Sequence, residues 1–210
     1  RRDDTQRNHT ATHLVHEALR EVLGPHVEQK GSLVKAESLR FDFSHFTKVT
    51  KEELAEVEAK VNAKILANHP LVEHRDIALE EAKAHGAMML FGEKYGDVVR
   101  MIEFDSSKEL CGGTHAPATG ALGSFRITQE TAVASGIRRI EAITGAATLK
   151  AMNAERLALQ TIKSLLKAQT NIESAVEDLI AKQSNLQKEL DSIKQKEAAA
   201  AKSNLASNLS

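Results

Sequence analysis

One cysteine, Cys111, leaves no room for an internal disulfide framework and fits a reducing compartment. Aromatic residues are scarce, with no tryptophan, one tyrosine and six phenylalanines. Acidic and basic side chains nearly cancel, 29 against 28. Composition therefore shows no basic, base-stacking nucleic-acid surface. No apolar run reaches the ~20 residues that span a bilayer, so no membrane partner is expected. No secretory leader opens the chain, which points to an intracellular, cytoplasmic setting. A phosphate-cradling glycine fingerprint is also missing, and strands and helices do not alternate regularly, which excludes a dinucleotide-binding sheet. At 210 residues the chain can still bury a real core in one or two domains.

What the chain does have is histidine, nine in all. His9-Thr10-Ala11-Thr12-His13 places two imidazoles at i, i+4 on a helical stretch, where such residues stack on one face. Cys111-Gly112-Gly113-Thr114-His115 repeats the spacing around a Gly-Gly turn that can fold tightly about an ion. Either pair alone recurs by chance, and a lone cysteine usually acts as a small hydrophobe. His16 shares the helical face of His9, so spacing alone does not fix the ligand set. If the pairs meet, three imidazoles and one thiolate suit zinc better than other common ions.

The hydrophobic pattern predicts an α+β domain over residues 1–145. A helix is expected from Arg7 to Leu23, stopped by Gly24. Strands are expected at Val27–Val34, Leu39–Phe43, Leu71–Ile77, Val98–Phe104, Ser124–Thr131 and Ile137–Ile143. Thr50 and Glu53 form a capping box that opens a helix through Leu66, and Ala78–Ala84 forms a short helix.

Residues 146–210 read as a helical extension, a hairpin or coiled coil. One seam runs Leu165, Ile172, Leu179, Leu186, Ile193 at heptad spacing, and its partner positions include Gln169 and Gln183. Thr170 and Glu173 repeat the capping box, which predicts a break near Gln169. The seam needs a partner, so self-association is a possible use. The run from Ala198 onward is expected to fray.

Four runs in order resemble the editing domain of alanyl-tRNA synthetase. They are His9-Thr-Ala-Thr-His13-Leu-Val-His, Gln29-Lys-Gly-Ser-Leu-Val, Glu109-Leu-Cys111-Gly-Gly-Thr-His115, and Gly136-Ile-Arg-Arg-Ile-Glu141-Ala-Ile-Thr-Gly145. The helical tail resembles the start of that synthetase's C-terminal extension. Freestanding alanyl editing proteins and the related threonyl-tRNA synthetase domain share the metal pairs, and the extension after Gly145 favours the alanyl synthetase. The ATP-dependent aminoacylation domain would precede Arg1, so ATP belongs to that absent part only.

The resemblance implies hydrolysis of the ester on alanine tRNA wrongly carrying serine or glycine at its acceptor end. A freestanding deacylase, or a non-catalytic zinc-stabilised module that positions tRNA or joins subunits, is the alternative. The implied metal ligands are His9, His13, Cys111 and His115. The implied substrate contacts are the Thr12 hydroxyl, Gln29, the backbone N–H groups of Gly112, Gly113 and Thr114, and Arg138. Thr12 could instead bond its own helix. Strand alternation puts Arg138 and Arg139 on opposite faces, so only one is expected in the site, and Arg138 is favoured. No general base is legible, and four protein ligands normally mark a closed zinc site.

Overall fold

The computed structural model describes residues 1–89, 94–166 and 171–207, with side chains through residue 200. The chain divides into two compact units, Arg1–Met152 and Asn153–Ser210. The first is mixed α+β, with two antiparallel sheets.

Helix α1 spans Arg2–Leu23 and buries Ala11, Leu14, Val15, Ala18 and Leu19 along one side. It starts earlier than the apolar pattern predicts, because Asp3 and Asp4 in its first turn favour the positive end of the helix dipole. Gly24, at φ +117°, ends it as expected. The first sheet has the order β1-β2-β7-β6, from Gln29–Val34, Leu39–Ser44, Ile137–Thr144 and Phe125–Ala134. Phe41 faces Ile140 across β2 and β7, and both are fully buried in the core that includes the apolar side of α1. Burying such a side chain contributes about 1.5–3 kcal/mol.

Helix α2, Lys51–Ala67, opens with the expected box: the Glu53 N–H donates to Thr50 Oγ1, and Thr50 N–H donates to the Glu53 carboxylate. Strand β3 (Val72–Ala78) leads into the short helix α3 (Leu79–Ala84). Strands β4 (Val98–Phe104) and β5 (Ser107–Leu110) complete the second sheet, ordered β3-β4-β5. Along β4, Ile102 and Phe104 join the main core, while Val99 and Met101 join a smaller one with Ile77 and Ala82 of β3 and α3. The second sheet thus carries apolar groups on both faces. Its last strand delivers Cys111 against α1.

Asn8 fixes where α1 begins to bear on the sheets. Its Nδ2 donates to the carbonyls of Lys35 (2.8 Å) and Ala36 (3.2 Å), and Thr144 Oγ1 donates to its Oδ1 at 2.7 Å. One buried amide therefore ties the residue before His9 to the β1–β2 turn and to the end of β7.

Helix α4 runs Ala146–Leu165 and α5 runs Ile172–Ser207. The predicted break at Gln169 and the Thr170 cap lie outside the described residues. The observed cap is Asn171, whose Oδ1 accepts from the Ser174 N–H at 3.2 Å. The tail does not fray at Ala198, since α5 continues to Ser207; alanine has the highest helix propensity of any residue. Leu165, Leu179, Leu186 and Ile193 are all more than half exposed, so the seam has its apolar edge in solvent. No helix among the described residues is long and apolar enough to cross a membrane.

Candidate metal centre

The two sequence pairs meet. One ligand atom from each of His9, His13, Cys111 and His115 lies within 4.8 Å of the others, and this group could hold a metal ion. Helix α1 presents the first two one turn apart, and the turn after β5 presents the other two. The rings of His9 and His115 stack at 4.3 Å, and His13 lies 4.5 Å from His115.

Each ring is held by a partner outside the cluster. The Thr114 carbonyl accepts from His9 Nδ1 at 3.1 Å, which leaves Nε2, 3.5 Å from Cys111 Sγ, with its lone pair inward. His115 Nε2 lies 3.4 Å from the same sulfur, and its Nδ1 is 3.2 Å from Thr10 Oγ1. Such bonds to the far nitrogen select the tautomer and raise ligand basicity. His13 Nε2 lies 3.3 Å from the Glu109 carboxylate. Its Nδ1 is buried without a hydrogen-bond partner among the described residues. Buried polar atoms are seldom orphaned, and a cation among these donors fits that vacancy in the bonding. The donor set itself, three imidazoles and a thiol, matches a tetrahedral zinc site.

Burial pushes the three ligand imidazoles below their ordinary value, His115 down to about 2, with the neighbouring His13 and His9 acting in the same direction. They are neutral at neutral pH, the form that offers a lone pair. Glu109 lies between His13 and His16, with His16 Nδ1 2.9 Å from its other oxygen. Burial pulls this carboxyl upward, but the two imidazoles together hold it below the usual carboxylate range.

Gly113 is required on steric grounds. A Cβ there would stand 2.0 Å from His9 Cε1, well inside contact distance. The Gly113 N–H donates to Cys111 Sγ at 3.4 Å, a bond that favours the thiolate. That N–H is therefore engaged with the sulfur. Thr114 offers its carbonyl to His9, and nothing crowds Gly112.

The remaining sequence candidates sit as follows. Thr12 is buried on α1 and its hydroxyl donates to the His9 carbonyl at 2.7 Å, an i−3 bond rather than the i−4 form. Its oxygen keeps acceptor capacity. Gln29 opens β1 at a bulge and donates to Ser32 Oγ at 3.3 Å, so its recorded bond does not reach the cluster. Arg138 lies opposite Phe43, on the sheet face that α1 covers, and its charge is matched by Glu130 at 2.5 Å. Arg139 points to the other face and forms a two-pronged pair with Asp42, at 2.6 and 2.8 Å.

Glu109, Thr10 and Arg100 act on the cluster without any signal from the spacing of the pairs. The sequence cue is position: Thr10 lies within the His9–His13 motif, and Glu109 stands two residues before Cys111. Arg100 carried none, because its contacts span 11 and 13 residues along the chain.

Residues 99–141 match the family model described as the threonyl and alanyl tRNA synthetase second additional domain. Over 202 residues, 96% of its length, the chain is 54% identical to an alanine–tRNA ligase of Bacteroides fragilis. It is 51% identical over 210 residues to that of Colwellia psychrerythraea and 48% over 194 residues to that of Porphyromonas gingivalis. The chain spans under a quarter of the length of these ligases, 23% in the first case.

Proposed function

Because the chain belongs to the alanyl-tRNA synthetase family, as a segment carrying its second additional domain, we propose that it hydrolyses the ester of alanine tRNA mischarged with serine or glycine. The observation that carries this reading is the convergence of His9, His13, Cys111 and His115 within 4.8 Å, on a segment half identical to alanine–tRNA ligases. A small apolar pocket rejects a substrate differing by one hydroxyl or methyl by only a factor of about 100, so a second, hydrolytic sieve has a physical purpose.

In this reading the four residues hold zinc, which when bound supplies a Lewis acid and a fixed centre of positive charge. The Thr114 carbonyl and Thr10 hold the rings of His9 and His115 in ligand orientation. Thr12 accepts a hydrogen bond from the serine hydroxyl while donating to its own helix. Gln29 and the N–H groups of Gly112 and Thr114 line the path of the ester. Arg138 meets the acceptor end by exchanging its bond to Glu130. Four protein donors form a closed set, which favours a zinc that shapes the pocket over one that activates water. That same observation supports the second reading, a metal-stabilised module that positions tRNA without cleaving it. The exposed seam of α5 is the surface through which the chain self-associates or meets the rest of a longer protein.

The test is deacylation of seryl-, glycyl- and alanyl-tRNA of alanine identity, with and without chelator. Release from the first two, sparing of the third and loss after chelation are expected. A folded, zinc-loaded chain that releases none faster than buffer would favour the positioning module.

Thr12→Val keeps the volume and removes the hydroxyl. Seryl-tRNA hydrolysis should fall by roughly 5- to 150-fold, the equivalent of about 1–3 kcal/mol for a buried polar contact. Glycyl-tRNA hydrolysis should change little, since glycine has no hydroxyl to read. Equal losses for both esters would assign Thr12 to the helix instead of to recognition.

A further inference from the structure

The Cys111–His115 turn contains two glycines and so has little of its own to hold its shape. Arg100, from the middle of β4, supplies the missing constraint. Its Nη1 donates to the carbonyl oxygens of Cys111 at 2.6 Å and Gly113 at 2.7 Å. Its own carbonyl accepts from the Cys111 N–H at 3.1 Å, so backbone and side chain of one residue grip the same turn. On its other side, Nε donates to Glu73 on β3 at 2.6 Å, and the Arg100 side chain is three-quarters buried. Holding both carbonyls toward β4 is consistent with the Gly113 N–H facing Cys111 Sγ. A lysine ammonium carries the same charge but lacks the planar fork.

We propose that Arg100, braced by Glu73, is a positioning residue for the metal centre: it sets the turn so that the Cys111 sulfur and the His115 ring converge on the ion. Arg100 itself ligates nothing and is absent from the metal motifs. The inference rests on the cluster being a metal site. It makes metal affinity and thiolate geometry depend on a residue of the neighbouring strand.

Cobalt(II) and zinc(II) binding by the 210-residue chain tests it, with Arg100→Gln, Arg100→Lys and Glu73→Ala beside the unaltered chain. Cobalt reports thiolate coordination through its sulfur-to-metal charge-transfer band, which overall stability does not govern. Losing an outer partner of a ligand typically weakens metal binding by about 10–100-fold. Arg100→Gln should show that loss, measured by chelator competition, with a weakened or shifted band per bound ion. Arg100→Lys should resemble it, and Glu73→Ala should move the same way by less. A folded Arg100→Gln chain with unchanged affinity and band overturns the proposal. Should Arg100→Gln fail to fold, unchanged values in Glu73→Ala overturn it. An unaltered chain that binds neither ion overturns the metal reading itself, together with this inference, before any variant is compared.

Discussion

Gly113→Ala is expected to weaken metal binding on the order of 100-fold or more while leaving both sheets in place. The added methyl would stand 2.0 Å from His9 Cε1, 2.6 Å from Nδ1 and 3.2 Å from Nε2. No rotamer choice of an alanine relieves this, because its Cβ is fixed by the backbone. Either His9 swings out or the turn backs away. The first removes a donor; the second carries Cys111 and His115 with it. Structural zinc sites contribute about 10–16 kcal/mol with all their ligands. Losing one of four donors on that scale is worth roughly 3 kcal/mol, a weakening on the order of 100-fold or more. Isothermal titration or chelator competition reads this directly. Gly112→Ala is the matched control, since a Cβ there meets nothing within 4 Å. Equal effects of the two substitutions would show that backbone freedom, not the His9 contact, sets the requirement.

The second large effect is on acid stability. In the metal-free chain, His13 and His115 are held below the ordinary imidazole value, chiefly by burial. Unfolded, each takes up a proton near pH 6.5, whereas folded His115 resists until about pH 2. The unfolded state therefore binds more protons, and stability falls as pH drops below about 6.5. Across that range His115 contributes about 1.4 kcal/mol per pH unit. His13 acts in the same direction, so the loss is a sizeable share of the 5–15 kcal/mol typical of a domain. The chelated chain should lose stability steadily between about pH 6 and pH 4. Denaturant midpoints at a series of pH values measure this. A midpoint indifferent to pH across that window would contradict burial of neutral rings.

Much of the site was legible because its parts are local patterns. The histidine pair is a helical spacing and the cysteine pair a glycine turn, and the structure brings them together. The Thr50–Glu53 cap and Gly24 stop were legible for the same reason. Strand β5 was not, since Ser107-Lys108-Glu109-Leu110 is short and charged, and only its buried setting makes a strand of it. Glu109 is a surface-type residue by every local measure. It is buried because His13 and His16, over 90 residues earlier, supply its partners. Arg100 falls in the same class. Asn171 next to the expected Thr170 is also a residue type that caps helices, and its Oδ1 accepts from the Ser174 N–H ahead of α5.

The cluster also imposes an order of events on the growing chain. His9 and His13 leave the ribosome first, but Cys111 lies 102 residues after His9. Closing so long a loop is entropically costly and slow compared with forming α1 itself. Until Cys111 and His115 have emerged, α1 carries two of the four clustered side chains, and its apolar side still lacks β6 and β7 of the first sheet. A metal bound by these four residues would be captured late in biogenesis, joining the first helix of the unit to a turn made a hundred residues afterwards.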